Sequence, residues 1–413
     1  MAISYTEAVQ LVGEEAKSHV LSTETVSLFD ACDRVAADAI HSPISTPEYD
    51  TSAMDGFALS SVHTEHATPE NPVTFRVTGT TTAGDRPHSA PDLQDGIPHC
   101  VEIMTGAPFP LRGTFDCCVP VEEIVTENKG ADRYISVVKP AKPFQHRRFA
   151  GGDFHKGDPI VARGECIQPQ HVMAMASVGL RDIPVVRRLR IALFSTGCEL
   201  KEKAGPSHSF TIHDANGPYL STVLRRWGVE VDFRGVVPDN QQAMEHAIET
   251  ALDDEFDLIV TSGAVSAGRC DIIPSLIKRI GGRTVFHKVA VKPGRPILFA
   301  MLPGHQETAF FGLPGNPVAA AACLRFFVLQ YVRTSQLQGP EQPQHAHLQN
   351  AKQQRFRPEP DIFRPAVFDQ ARQQVRIIED HSPGKTKPFM EASCWVHIPR
   401  GVSEVEDQVR IYT

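Results

Sequence analysis

Phe256-Asp-Leu-Ile-Val-Thr-Ser-Gly-Ala-Val-Ser-Ala-Gly-Arg-Cys-Asp271 is the stretch whose reading sets the fold. Leu258 to Val260 is an apolar run of strand length, broken by small residues. From Asp271 a helical pattern of Ile272, Ile273, Leu276, Ile277 and Ile280 runs on until Gly281-Gly282. The stretch therefore predicts strand, loop, helix. Such a turn belongs at the carboxyl edge of an open α/β sheet, where small residues admit a ligand to the backbone and the helix start favours anions. Gly/Ser loops also make ordinary turns, so this one marks a place for a ligand without naming it.

The same alternation extends both ways. Upstream, Arg190 to Ser195 reads as a strand ending in Ser195-Thr-Gly-Cys-Glu199, and Asp214 to Trp227 as a helix stopped by Gly228. Val229 to Val237 is the next strand, after which Pro238-Asp239 opens a helix to about Leu252. Downstream, Val285 to Val291 and Ile297 to Met301 read as strands, and Phe310 to Pro317 leads into a helix from Val318 to Tyr331. Asn316 suits its N-cap and Pro317 its first position. Repeated units of this kind predict a doubly wound, mostly parallel α/β domain over residues 187–334.

Outside that region the texture differs. Ser4 and Glu7 form a capping box before a helix whose apolar face holds Tyr5, Ala8, Val9, Val12 and Ala16. Ser42 to Asp50 is too rich in proline for helix and leads to Asp55-Gly56 on an exposed loop, for which a simple Asp-Gly turn is the plainer reading. Residues 47–142 are read as an inserted β-rich lid domain, with Thr105-Gly106 on a tight loop. Gly151 to Asp158 is another Gly/Asp turn, and Gln168 to Leu180 a helix. Residues 1–46 and 143–186 would then be the halves of a split helical and mixed N-terminal domain. Ser335 to Gln354 reads as a linker. Residues 335–413 as a whole form a small C-terminal β domain, and His345-Ala-His347 reads as an unliganded surface pair.

At 413 residues the chain is long enough for two to four domains. A net charge of −8 argues against general nucleic-acid affinity. Nine scattered cysteines without a Cys-x-x-Cys pair fit a reduced, cytoplasmic compartment. No apolar run reaches spanning length, so no membrane partner is expected.

The α/β region places Glu199, Asp239 and Asp271 at strand ends or helix starts, with Lys288, Lys292 and Arg295 nearby in sequence. Each has a bland alternative: Asp239 and Asp271 are good N-caps, and the bases suit a wet edge. Together on one rim with several Gly/Ser loops they suggest more. A phosphate there would be drawn by the lysines and repelled by each carboxylate, by roughly 4 kcal/mol per pair at about 4 Å and an effective dielectric near 20. A hard divalent cation such as Mg²⁺ between them removes that conflict. The pattern points to metal-assisted phosphate chemistry. No Gly-x-Ser-x-Gly, Walker-type or Gly-x-Gly-x-x-Gly motif is present to suggest another.

Six motifs then occur in one order: Ser52-Ala-Met-Asp-Gly-Phe-Ala58, Ile103-Met-Thr-Gly-Ala-Pro108, Ser195-Thr-Gly-Cys-Glu-Leu200, Ser262-Gly-Ala-Val-Ser-Ala-Gly268 with Asp271, Lys288-Val-Ala-Val-Lys-Pro-Gly294 and Gly312-Leu-Pro-Gly-Asn-Pro317. In this the chain resembles the molybdopterin molybdenumtransferases, the family that includes the C-terminal domain of gephyrin. The resemblance implies an elongated four-domain α/β chain with a split first domain, an inserted β lid and a C-terminal β-barrel-like domain. It implies insertion of molybdenum from molybdate into adenylylated molybdopterin, with Mg²⁺-dependent release of AMP. By motif, Asp55, Thr105, Asp153, Glu199, Asp239, Asp271, Lys288 and Lys292 fall at active-site positions. Glu199, Asp239 and Asp271 would hold the metal or its waters. Ser262, Gly263, Ser266, Gly268, Pro314, Gly315, Asn316 and Arg364 would hold the pterin and its phosphate.

The resemblance further implies a homodimer with the site between subunits, a separate molybdopterin adenylyltransferase as donor and molybdoenzymes as acceptors. Ala264 stands where the family usually has glycine, and Ser382 aligns weakly with a family serine. A scaffold of the gephyrin type and a tungsten-inserting relative are the alternatives.

Overall fold

Continuous runs of Val, Ile, Leu and Phe build the central sheet because its strands are covered on both faces. The strands Arg190–Thr196, Leu258–Ser262, Leu298–Leu302 and Thr308–Leu313 are buried almost throughout. The structure is a computed structural model that describes residues 2–89, 96–111, 114–201, 211–265, 272–304, 307–351, 354–379, 382–405 and 407–413. In it the sheet order is Glu230–Val237, Arg190–Thr196, Leu258–Ser262, Thr308–Leu313, Leu298–Leu302, Arg283–His287. The first three pairings are parallel, and Leu298–Leu302 alone runs against the rest. Alternate side chains go to opposite faces: Leu193, Val260 and Phe311 join one core, Ala192, Ile259 and Phe310 the other.

From the Arg190–Thr196 strand the chain winds first to one neighbour and then across to the other. The strand order therefore reverses between Thr196 and Ser262, and a crevice opens there at the carboxyl edge.

Two expectations are corrected by the tertiary structure. Val285 to Val291 is not one strand. The central sheet keeps Arg283–His287, Lys288 turns the chain with φ 75°, and Val291–Lys292 pairs instead with the Asp361–Asp369 strand of the C-terminal sheet. The reason is non-local. The Ile3 N–H donates to Lys288 O at 3.2 Å and the Ala290 N–H to Ile3 O at 2.8 Å, so the N-terminal segment takes up the backbone groups released at the break. Nor is Ser335 to Gln354 wholly linker. Gln344–Leu348 is a strand between Gln374–Ile377 and Gln408–Tyr412, with Ala346 and Leu348 buried and His345 and His347 outward. With Cys394–Ile398 returning to Asp361–Asp369, these strands close a five-stranded ring. His347 Nδ1 lies 2.9 Å from Asp407 Oδ1.

The Tyr5–Ser18 helix starts as expected, Ser4 Oγ accepting from the Glu7 N–H at 3.2 Å. Its apolar face finds its partner in the α/β layer: Ala8, Val12 and Ala16 share a core with Leu193, Val260 and Tyr331. Tyr5 meets Phe326, Phe327 and Phe363 edge-on. In the region between, Thr23–Ser27 pairs with Asp182–Val186 and Ile40–His41 with Pro159–Val161. Between those pairings the chain forms a six-stranded sheet ordered Cys117–Pro120, Gly56–Leu59, His99–Ile103, Val73–Thr81, Asp132–Val137, Ile124–Lys129.

Candidate active site

The crevice at the strand-order reversal has a volume of about 520 Å³. It is built from the loops that follow four strands. Thr196, Glu199 and Leu200 come after the first, Asp239 after the second, Gly263 and Ala264 after the third, and Pro314, Gly315 and Asn316 after the fourth. Six residues marked by sequence thus meet in one cavity: Glu199, Asp239, Gly263, Pro314, Gly315 and Asn316. Ser262, just before Gly263, is buried and does not itself line the crevice, its Oγ accepting from Asn216 Nδ2 at 2.8 Å.

Local chemistry explains the shape. Gly263 has φ +103°, and a Cβ there would lie 2.4 Å from Thr196 O, so only glycine lets the two strand ends approach. Ala264 follows with φ 53°, a left-handed conformation held by a residue with a side chain. The Gln241–Asp253 helix is capped by Asn240, whose side chain accepts from the Ala243 N–H at 2.8 Å. Asp239 is thus not the N-cap that its position suggested, and lines the crevice instead. Asn316 occupies the N-cap of Pro317–Cys323 without a side-chain capping bond, so its carboxamide is not committed to the helix start.

Sequence reading missed two members. Asn216 bridges the loops, donating to Ser262 Oγ and to Gly315 O, both at 2.8 Å. Asp214 accepts from the Asn216 and Gly217 N–H groups through Oδ1, at 3.0 and 3.1 Å. Its Oδ2 is buried with no hydrogen-bond partner among the described residues, and so is Thr196 Oγ1. The signal available was His213-Asp-Ala-Asn216 at a helix start, which reads as routine capping.

Other marked residues lie elsewhere. Asp55 and Thr105 are brought together on the inserted sheet: Asp55 Oδ1 accepts from the Thr105 N–H at 2.6 Å and from its hydroxyl at 2.8 Å. Those bonds hold the Asp55 carboxyl below its ordinary range. The pair is exposed and does not line this crevice. Asp153 is exposed on its loop, its N–H donating to Thr46 O at 2.9 Å. Lys288 and Lys292 do not line the crevice, whereas Pro296, farther along the same segment, does. The pairing of Lys292 with Ile362 sets it two residues from Arg364, which burial holds below the usual arginine range. Gly384 also lines the crevice, and the Val318 N–H donates to Pro383 O at 2.9 Å, so the segment beside Ser382 docks on the helix start. Ser266, Gly268 and Asp271 lie outside the described residues.

Glu199, Asp214 and Asp239 supply hard oxygen donors, and an orphaned carboxylate oxygen suits a cation. Among the described residues no three such side chains converge as a ready-made metal cluster.

Residues 3–179 match the family model described as MoeA N-terminal region (domain I and II), and residues 192–334 the one described as probable molybdopterin binding domain. A molybdopterin molybdenumtransferase of Synechococcus elongatus is 36% identical over 329 residues, covering 79% of each chain. Molybdopterin molybdenumtransferase 2 of Mycobacterium tuberculosis is 32% identical over 394 residues, 93% of this chain and 91% of its own. Among solved structures, a molybdopterin biosynthesis moea protein from Pyrococcus horikosii superposes with a TM-score of 0.81 over 100% of both chains at 26% identity.

Proposed function

Because the chain belongs to the molybdopterin molybdenumtransferase family and is a transferase of molybdenum cofactor biosynthesis, we propose that the crevice binds adenylylated molybdopterin and inserts molybdenum from molybdate with release of AMP. The observation that carries this is the meeting of Glu199, Asp214 and Asp239 with the Gly263–Ala264 and Pro314–Asn316 turns at the strand-order reversal. The turns offer backbone donors to the phosphates and close approach to the pterin. Glu199, Asp239 and Asp271, with Asp214, would hold Mg²⁺, which when bound neutralises phosphate charge between the carboxylates and the pyrophosphate. Lys288 and Lys292 are held by the backbone bonds to Ile3 and by pairing with the C-terminal sheet. They and Arg364 stabilise oxyanion charge on molybdate or phosphate.

The Asp55–Thr105 pair does not line the crevice of its own chain, which supports a homodimer in which the lid of one subunit completes the site of its partner. A separate adenylyltransferase supplies the substrate, molybdoenzymes receive the product, and the compartment is the cytoplasm.

AMP release from adenylylated molybdopterin tests the reading, measured with and without molybdate and Mg²⁺. Molybdate-dependent release in the wild type and at least a hundredfold loss in Lys292→Ala and Asp239→Asn are expected, roughly the effect of removing one charged transition-state contact. Near-normal turnover in either variant rejects the assignment. Co-expressed Asp55→Ala and Lys292→Ala chains should regain activity that neither homodimer has; no recovery rejects the shared site.

A further inference from the structure

Behind the crevice, across the start of the Asn216–Arg226 helix, lies a second and larger cavity of about 770 Å³. It shares only Ala215, Asn216 and Pro317 with the crevice. Spacing along the helix makes this possible. Leu220 and Leu224 are buried toward the sheet, while Tyr219, Val223, Arg226 and Trp227 lie on the face turned toward the C-terminal domain. An α/β helix usually gives that face to solvent and polar residues. Here it meets Phe389, Trp395 and Tyr412, and the two surfaces stay apart enough to leave the cavity.

The lining is aromatic and ordered. Tyr219 meets Phe389 edge-on at 5.7 Å, and Phe389 meets Trp395 at 5.6 Å. Arg325, also on the wall, is held by Glu341, so it is structural. Arg226 is exposed, and no carboxylate pairs with it among the described residues. A volume within the usual range of about 300–1,000 Å³ for ligand sites, walls of rings and one uncommitted guanidinium select a flat aromatic molecule with a negative group.

We propose that this cavity is a second ligand site, for a planar fused nitrogen heterocycle carrying an anionic substituent, with the ring packed against the wall of Tyr219, Phe389 and Trp395 and the anion on Arg226. A purine nucleotide and a pterin acid share that chemistry. The inference goes beyond the transferase reading and does not depend on it, since no residue it needs takes part in AMP release.

The chain has two tryptophans, Trp227 and Trp395, and both line this cavity, so tryptophan emission reports on it. Full-length protein is titrated with AMP in one arm and with pterin-6-carboxylate in the other, with equilibrium dialysis giving stoichiometry. A saturable emission change is expected in one arm, which identifies the source, with dialysis counting this site in addition to any occupancy of the crevice. Arg226→Glu should weaken that ligand by about tenfold or more, as loss of a charge-assisted contact does. It should leave molybdate-dependent AMP release unchanged. Lys292→Glu should leave the emission response intact. Any other pattern overturns the proposal, including silence in both arms, a response that survives Arg226→Glu, or one lost with Lys292→Glu.

Discussion

At the residue scale, the crevice depends on positions where one atom decides. A Cβ on Gly263 would meet Thr196 O at 2.4 Å and Thr196 Oγ1 at 2.6 Å, with φ at +103°. Gly263→Ala should therefore destabilise the protein by roughly 2–4 kcal/mol, combining backbone strain with overpacking. Denaturant unfolding measures this, and an unchanged midpoint would show that the strand ends can separate freely. One residue on, Ala264 tolerates φ 53° because its methyl packs with the core that holds Val265 and Ile273. Ala264→Gly should thus keep transferase activity. Asn216 carries no charge and belongs to no motif that the sequence singled out, yet it ties Ser262 to Gly315. Its role follows only from where its helix begins.

Among elements, the N-terminal helix shows how a remote segment supports the chemistry. Its N-cap was legible, and Ser4 does accept from the Glu7 N–H, the half of the expected capping box that the structure shows. Because Ala8, Val12 and Ala16 are buried in the α/β core, fraying of this helix is felt by the whole domain. Ser4→Ala should cost about 1 kcal/mol of global stability, read from the thermal midpoint, rather than only local order. A null shift would mean the helix start is held by the Ile3 backbone pairing alone. Those same Ile3 bonds hold the turn at Lys288, where the sequence suggested an unbroken strand. Hydrophobic alternation continues through the turn, so the pattern alone gave no sign of the break.

Over the whole molecule, a buried ionic cluster at the opposite edge of the sheet joins the N-terminal helix to the central strands. Asp257 accepts from Arg187 at 2.6 and 2.7 Å and from the Arg190 N–H at 2.8 Å, and lies 3.3 Å from His19 Nε2. Burial pushes its pKa up, but these partners outweigh it and hold the carboxyl well below its ordinary value of 3.8. A depressed folded pKa gives stability that is present above the unfolded value and is lost as pH falls through the folded one. Acid unfolding of the wild type should therefore steepen below about pH 4. Asp257→Asn should cost about 3 kcal/mol at neutral pH, because Arg187 is left without its partner, and should flatten that acid limb. Melting curves from pH 7 to 3 compare the two; parallel curves would remove Asp257 from the acid response. By itself the sequence determined the α/β alternation, the Gly-rich turns, the family and six of the residues that meet in the crevice. Periodicity, capping and turn chemistry are local, and six ordered motifs survive without coordinates. Only the tertiary structure decided that the strand order reverses between Thr196 and Ser262, that Asn240 caps in place of Asp239, that Asp214 keeps a buried oxygen unpaired among the described residues, and that Gln344–Leu348 closes a barrel. Each of these depends on which distant backbone or side chain arrives as a partner, and that is fixed by packing rather than by neighbours in the chain.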